Sequence, residues 1–468
     1  MKHCTRILSA ALALMLLFTG CSQNAGVSDV VDKVTSAVED MAQSEAPSET
    51  PLESQEPTDS VEEPVQETAE PEGTDEFANT EGSIAVPDSF TETVLVDNEH
   101  CKVTVTGFSN GYNGDAIMQL ALENKTDVTL MFSMEFASVN GIMVDPFWAD
   151  EVAAGKILNA EVSWYADELL EKGIDTLSNV EFRLRAYDSD NWDAEDALSE
   201  VLTVYPFGED QAVTLHREAQ DTDTVLYEDG NVRVVAIGYD PQGEYGNTVH
   251  MYIENMMDRN LTVTIDDCAV NGVMADPAWL EELAPGKASY SDLDWFLDST
   301  LEELGITDIT SITGTLRAYD SDNWSADDVV NAPFTYEPQG AEAVSTYEYI
   351  PGEQDVILAD NESFQFIVTG FEKDDLDYEN MKVFIRNNTD RTLRFSAENV
   401  SINGYMCDPY WAMSVAPGKM AVSSFRWSDT DLASNGIESI TDVEFSLEVR
   451  DDESFEEIAI EDYQVTAW

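Results

Sequence analysis

The stretch CKVTVTGFSNGYNGDAIMQLALEN, residues 101–124, decides the fold class of this 468-residue chain. Apolar and polar side chains alternate through CKVTVTGF and again through DAIMQLALEN, and a period of two is typical of a strand with one buried face. VEFRLRAYD at 180–188 alternates in the same way. Turn-forming residues separate such runs, as in ENKTD at 123–127. The stretch therefore predicts short antiparallel strands joined by tight turns.

The same landmarks recur along the chain at spacings of 131 or 132 residues. They are the Asn-Gly pairs that start at 140, 271 and 403, a first tryptophan at 148, 279 and 411, and a second tryptophan at 164, 295 and 427. Repetition at a fixed period predicts one structural unit written three times. Asn-Gly is favoured in two-residue type I′ turns, because both positions take positive φ. We therefore predict a hairpin at each pair.

Each copy also carries a signal for one short helix. ADELLEKGI at 166–174 predicts about two helical turns, which Gly173 ends in the left-handed conformation. Short strands and one helix in a segment of about 115 residues predict an antiparallel β-sandwich. We predict an all-β fold of three tandem sandwiches at 93–207, 224–338 and 355–468. The pattern resembles the immunoglobulin-like modules repeated in uncharacterised surface lipoproteins of Gram-positive bacteria, a resemblance that implies no known activity.

The first residues, MKHCTRILSAALALMLLFTGC, combine a basic start with an apolar run too short to span a bilayer. The string Phe18-Thr19-Gly20-Cys21 resembles the lipobox of bacterial lipoproteins, which implies cleavage before Cys21 and acylation of its sulfur. An ordinary secretory signal with an incidental cysteine is the alternative. We predict a signal peptide at 1–20, a lipid anchor at Cys21, and a membrane-attached, extracytoplasmic location.

The segment 21–88 is predicted to be a disordered acidic linker. Between residues 22 and 88 it holds 18 acidic residues and one basic residue, with almost no aromatic side chains. Such a composition cannot bury enough apolar surface to offset the entropy of ordering. The whole chain has a net charge of −72. This charge repels DNA, RNA and anionic lipid head groups, so we predict no nucleic-acid partner.

The chain lacks the sequence marks of an enzyme. His100, His216 and His250 do not occupy equivalent positions in the copies, and no nucleophile motif or phosphate-binding glycine loop is present. The cysteines Cys101 and Cys268, with Cys407, are predicted to be buried small apolar residues. We predict a non-catalytic protein that needs no cofactor.

One repeated motif is a candidate calcium site. RAYDSDNW occurs at 185–192 and again at 317–324. Its acidic residues, Asp188 and Asp190 in one copy and Asp320 and Asp322 in the other, could supply several of the oxygen ligands that Ca²⁺ requires. A polar hairpin turn, held by hydrogen bonds from Asp and Asn to the backbone, explains the string as well.

A second motif, Asp-Pro-x-Trp, is a candidate sugar site. Its members are the pairs Asp145 and Trp148, Asp276 and Trp279, and Asp408 and Trp411. A tryptophan beside a carboxylate could stack on a sugar ring while the acid binds hydroxyls, although a repeated tryptophan more often fills a core. One aromatic per copy suits multivalent recognition. We predict a surface protein whose modules bind a protein or glycan partner or act as spacers, with polysaccharide binding by these loops as the alternative.

Overall fold

The computed structural model describes residues 82–374 and 377–468. Strands far outnumber helices in this part of the chain, so the all-β prediction is confirmed. Nine strands and one short helix follow one another in the same order three times, and we call these the first, second and third series. The predicted signal peptide at 1–20, Cys21 and most of the linker lie outside the described residues.

The first series contains β1 Thr93–Asp97, β2 Cys101–Asn110, β3 Ala116–Asn124, β4 Leu130–Val139, β5 Ile142–Met143, β6 Ala149–Val152, β7 Ile157–Trp164, α1 Ala166–Glu171, β8 Val180–Asp188 and β9 Leu198–Val204. The second contains β10 Thr224–Glu228, β11 Val232–Gly243, β12 Gly246–Asn255, β13 Leu261–Val270, β14 Val273–Met274, β15 Leu280–Leu283, β16 Ala288–Asp294, α2 Thr300–Glu303, β17 Ile312–Asp320 and β18 Val330–Tyr336. The third contains β19 Val356–Asp360, β20 Phe364–Lys373, β21 Tyr378–Asn387, β22 Leu393–Ile402, β23 Tyr405–Met406, β24 Ala412–Val415, β25 Met420–Ser428, α3 Asp429–Ser434, β26 Asp442–Asp451 and β27 Glu457–Thr466.

Each series places two sheets face to face across a core. In the first series, β1, β2, β3 and β7 form one antiparallel sheet, while β4, β5, β6, β8 and β9 belong to the other. Val103 and Leu120 of the first sheet pack with Phe132 and Leu184 of the second in one buried cluster. Equivalent clusters fill the third and the second series. The alternating strands therefore bury their apolar faces in the manner of a β-sandwich.

The sheets continue from one series into the next. β5 pairs in parallel with β16, so the second sheet of the first series and the first sheet of the second series form one nine-stranded sheet. β14 pairs in parallel with β25 and forms a second nine-stranded sheet in the same way. A four-stranded sheet at one end and a five-stranded sheet at the other complete the described part of the chain.

The local turn predictions are confirmed. Asn140 and Gly141 have φ values of 52° and 86°, and the other two Asn-Gly pairs also lie at positive φ, as a type I′ hairpin requires. α1 ends as predicted, with Gly173 at φ 75°. The Ile174 N–H donates to the Leu169 carbonyl at 2.8 Å, which is the long hydrogen bond of a Schellman motif.

The predicted linker boundary at residue 88 needs a correction. Ile84 is buried in the core of the first series, and its N–H donates to the Gly114 carbonyl at 3.0 Å. Ala85 forms a parallel bridge with Thr176. The composition rule missed this segment because an apolar residue at the end of a polar stretch can still find a partner in a core formed far along the sequence.

A buried asparagine ties the two sheets of each series together. Asn124, Asn255 and Asn387 lie at the last position of β3, β12 and β21 and are almost fully buried. The Asn387 Nδ2 donates to the Arg391 carbonyl at 2.7 Å and to the Val415 carbonyl at 2.8 Å. Its Oδ1 accepts from the Thr389 N–H at 2.9 Å. The side chain thus satisfies backbone groups of the following turn and of β24 in the opposite sheet.

We expect Asn387→Ala to lower the free energy of unfolding by about 2–3 kcal/mol, because it leaves buried backbone carbonyls without donors. The neighbouring Asn388 is exposed and donates to a single carbonyl, that of Asn361. Asn388→Ala is therefore the matched control, with an expected loss below about 1 kcal/mol. Urea unfolding followed by far-UV circular dichroism measures both values. Equal losses in the two variants would contradict the role given to Asn387.

Candidate functional site

The three Asp-Pro-x-Trp loops share one geometry, in which the aspartate closes the turn. The Asp145 Oδ1 accepts from the Phe147 N–H at 2.7 Å, and Asp276 and Asp408 accept from the corresponding N–H groups at 2.8 Å. The residue between proline and tryptophan lies at φ values near 50° in all three loops. These carboxylates therefore hold a strained backbone turn.

The tryptophans of these loops face the cores rather than the solvent. Trp279 and Trp411 are buried, and Trp148 is half-buried against the first core. The Trp411 ring stacks on Phe425 with centroids 4.4 Å apart, and its Nε1 donates to the Ser423 Oγ at 2.9 Å. With one face covered and its polar atom satisfied, this indole has no free surface for a sugar ring. The packing role considered for these tryptophans from the sequence fits this placement.

The second set of tryptophans is also internal. Trp164, Trp295 and Trp427 are buried, and their Nε1 atoms donate to the carbonyls of Val144, Ala275 and Cys407 at 3.0, 3.2 and 2.9 Å. Each bond joins the end of β7, the residue after β16, or the end of β25 to the segment just before an Asp-Pro-x-Trp loop. The two tryptophan sets thus fix these loops to the core.

The acidic strings form turns that hold their own backbone. The Asp188 Oδ1 accepts from the Asp190 N–H at 3.0 Å, and the Asp320 Oδ1 accepts from the Asp322 N–H at the same distance. Among residues 82–374 and 377–468, no group of three or more His, Cys, Asp or Glu side chains converges in a way that could hold a metal ion. The structure therefore places the predicted calcium ligands in turns, one in each of the first two series.

Asp322 has a further contact, which joins two series. Its Oδ1 accepts from the Arg183 Nη1 at 2.7 Å, and its Oδ2 accepts from the Asn260 Nδ2 at 2.8 Å. Partial burial by itself raises the pKa of Asp322, but these two donors outweigh that effect and lower the pKa below its ordinary value. Asp322 therefore carries its charge at neutral pH and binds an arginine of β8 in the first series.

The surface aromatics of these turns are the feature that the sequence reasoning missed. Trp192 is 76% exposed, Trp324 is 72% exposed, and Phe455 at the equivalent position of the third series is 65% exposed. Each follows the strand that ends in the acidic turn, so one aromatic side chain projects from the same place in every series. The signal was available, because the notable spacing of 131 or 132 residues also relates these three positions.

The aromatic at the turn rests on a small polar and aromatic platform. The Trp192 ring lies 5.2 Å from the Tyr187 ring between centroids, and the Arg185 guanidinium lies 5.0 Å from the Tyr187 centroid. The Arg185 Nε also donates to the Asp196 Oδ2 at 2.8 Å. The exposed indole packs against a tyrosine and is flanked in sequence by Asp190 and Asp193. This composition suits non-covalent binding of a ligand that has both apolar and hydroxyl surfaces.

Comparisons with known proteins add no family. A scan against protein-family models gives no match, and a search of curated proteins gives no significant match. Within the described ranges, every helix is too short or too polar to cross a bilayer.

We expect Trp192→Phe combined with Trp324→Phe to remove most of the acrylamide-quenchable tryptophan fluorescence, because these two indoles are the most exposed tryptophans of the described chain. Stern–Volmer quenching of the native protein measures this fraction. Trp468, which is 43% exposed, provides the control, and Trp468→Phe should remove a smaller part. An unchanged quenchable fraction in the double variant would contradict the exposure of Trp192 and Trp324.

Proposed function

We propose that this chain is a lipid-anchored, extracytoplasmic surface protein that displays three tandem β-sandwich modules as non-catalytic binding or spacer units. The leader with Cys21 and the acidic segment after it support the anchor and the linker. The three series of strands support the modules, because each is built around a large buried apolar cluster. The lipobox-like string and the linker lie mostly outside the described residues, so their support comes from the sequence.

The observation that carries the spacer role is the continuity of the sheets across both joins. Parallel pairing at Ile142–Ala288 and at Val273–Met420 fixes each series to the next through backbone hydrogen bonds. A flexible linker would let modules turn independently, whereas a shared sheet resists such rotation. A stiff series of modules on an acidic tether would hold its far end away from the membrane.

The negative charge of the folded part supports modules that project away from the membrane surface. After the leader and linker are set aside, 76 acidic and 19 basic residues remain, so the folded part is itself strongly acidic. Like charges keep neighbouring copies apart and repel anionic head groups and nucleic acids. A neutral glycan or a basic protein surface is the kind of partner that this charge permits.

Polysaccharide binding is the second candidate function, and the exposed aromatics of the acidic turns favour it. The Trp192 and Trp324 side chains are mostly exposed, whereas those of Trp279 and Trp411 are buried. We therefore place the candidate sugar contact at the acidic turns instead of the Asp-Pro-x-Trp loops. Repeated weak contacts from successive modules would act together by effective concentration.

We expect Cys21→Ser to abolish lipid attachment. Two or three acyl chains hold a protein on a membrane because each buried methylene contributes about 0.8 kcal/mol. Expression in a bacterial host with an alkyne-labelled fatty acid, followed by in-gel detection, measures the attachment, and detergent-phase partitioning measures its consequence. Cys4→Ser is the matched control and should keep the label. Label retained in Cys21→Ser would contradict the anchor while leaving the spacer role of the folded part untouched.

For polysaccharide binding, we expect the chain from Ser22 to Trp468 to co-sediment with purified cell walls or an insoluble polysaccharide. Trp192→Ala together with Trp324→Ala should then weaken retention by about tenfold or more, since each buried aromatic contact contributes at least about 1 kcal/mol. Tyr112 is fully exposed in another loop, so Tyr112→Ala is the matched control and should bind normally. Retention equal in all three proteins would contradict the aromatic site, and no retention on any matrix would remove this second candidate.

A further inference from the structure

The two joins between series are built from equivalent backbone atoms. At the first join the Ala288 N–H donates to the Gly141 carbonyl at 3.1 Å. At the second join the Met420 N–H donates to the Gly272 carbonyl at 2.9 Å. In both joins, the glycine carbonyl of an Asn-Gly turn accepts a hydrogen bond from the first residue of β16 or β25. Each of these strands is the outermost strand that the next series contributes to the shared sheet. The join is therefore a repeated structural device with a fixed register.

A lysine next to the edge strand completes each join. The Lys287 Nζ lies 2.8 Å from the Glu181 Oε1, and the Lys419 Nζ donates to the Thr313 Oγ1 at 2.7 Å. Glu181 and Thr313 occupy equivalent positions at the start of β8 and β17. The short strand that follows the turn is buried at both joins, at Ile142 and at Val273. A join thus consists of a backbone hydrogen bond, an apolar contact and a polar contact from lysine.

The third series presents the first half of such a join without a partner. β23 lies at the edge of its sheet, and no backbone hydrogen bond reaches the Gly404 carbonyl from another element of the described chain. Tyr405 is 54% exposed, although the equivalent residues Ile142 and Val273 are buried. Met406 is 66% exposed, whereas the equivalent Met143 and Met274 are half-buried. Glu444, at the position of Glu181, is exposed as well.

The first series presents the second half. β7 is the edge strand of the four-stranded sheet, at the place that β16 and β25 have in the second and third series. Its first residue, Ile157, is apolar yet 65% exposed. Lys156, at the position of Lys287 and Lys419, is exposed, and the described residues provide it with no ion pair. The exposed Ile157 and Lys156 of the first series are therefore complementary to the exposed Tyr405 and Glu444 of the third series.

The outer face of this first sheet also differs from the outer faces of the corresponding sheets in the second and third series. In the second and third series, the connecting segment covers aromatic residues on that face, with Arg217 over Tyr252 and Tyr349 stacked on Phe384. The first series has Ala121 at the equivalent position. A partner arriving as a separate chain has no connecting segment to place there, so a small residue suffices.

We propose that a second copy of this chain docks head to tail, with β7 of one copy against β23 of the other. The register of the internal joins places the Ile157 N–H at the Gly404 carbonyl, Ile157 beside Tyr405, and Lys156 opposite Glu444. The two surfaces differ, so the contact is heterologous and repeats into longer assemblies. It is small, and both copies are strongly acidic, so association is weak and grows stronger when salt screens the repulsion. This inference does not depend on the lipid anchor or on sugar binding.

The test is sedimentation velocity of the chain from Ser22 to Trp468, which retains every described residue, at concentrations up to about 1 mM. It is run at about 0.15 M salt, where the charge variants are compared, and at about 0.5 M salt, where repulsion between the acidic copies is screened. The native chain should show concentration-dependent association. Lys156→Glu alone and Glu444→Lys alone should each weaken it by about fivefold or more, since each change replaces an attraction by a repulsion. An equimolar mixture of the two variants should recover association, because each end then meets an opposite charge.

The matched control is Arg394→Glu, which makes the same charge change as Lys156→Glu on an exposed arginine of β22. It should associate like the native chain. Three results would overturn the proposal: no association of the native chain, the same loss in Arg394→Glu as in Lys156→Glu, or failure of the mixture to recover. Circular dichroism of each variant separates loss of the contact from loss of the fold.

Discussion

The Asn-Gly turn is the point on which the assembly of this protein depends. Its asparagine side chain accepts three hydrogen bonds in the first series, from the Ser178 N–H and Oγ and from the Asn179 N–H. The Asn140 carbonyl accepts from the Leu215 N–H, and the Gly141 carbonyl accepts from the next series. One turn therefore closes a hairpin, holds the segment after the helix, receives the connecting chain and starts the shared sheet.

The glycine of that turn is required for two separate reasons. It lies at positive φ in every series, which favours glycine on backbone grounds alone. At the two joins, a Cβ on Gly141 would come within 2.8 Å of the Thr214 Cγ2, and one on Gly272 within 3.0 Å of the Thr346 Cγ2. Among the described residues, no atom other than those of its chain neighbours lies within 4 Å of the corresponding position at Gly404. At Gly404 only the positive φ favours glycine. The hairpin therefore needs glycine for its backbone conformation, whereas the join needs it because a threonine side chain packs closely there.

Local rules predicted the parts of this structure that are local in origin. The alternation around Val103, the Asn-Gly hairpins and the helix end at Gly173 each depend on neighbouring residues, so a single sequence suffices. The joins could not be predicted, because one parallel pair such as Ile142–Ala288 brings together residues far apart in sequence. The repeat spacing marks Trp192 as a repeated aromatic position, but its exposure could not be predicted, since the indole of Trp411 has the same chemistry and the packing of the cores decides which one is covered.

The acidity of the chain and the chemistry of its joins have to be considered together. Self-repulsion between series acts over the Debye length, whereas the joins rely on buried apolar side chains and backbone hydrogen bonds that salt barely affects. The few basic residues reinforce this arrangement: Arg183 and Lys287 make ion pairs across the first join. Arg217 pairs with Asp223 at 2.6 Å within the connecting segment, and its hydrogen bond lowers the pKa of that carboxyl. At the second connection Tyr349 replaces this arginine and donates to Asp355. The same aspartate position is thus satisfied once by a cation and once by a phenol, which indicates that the geometry of the connection, more than its charge, is what both joins require.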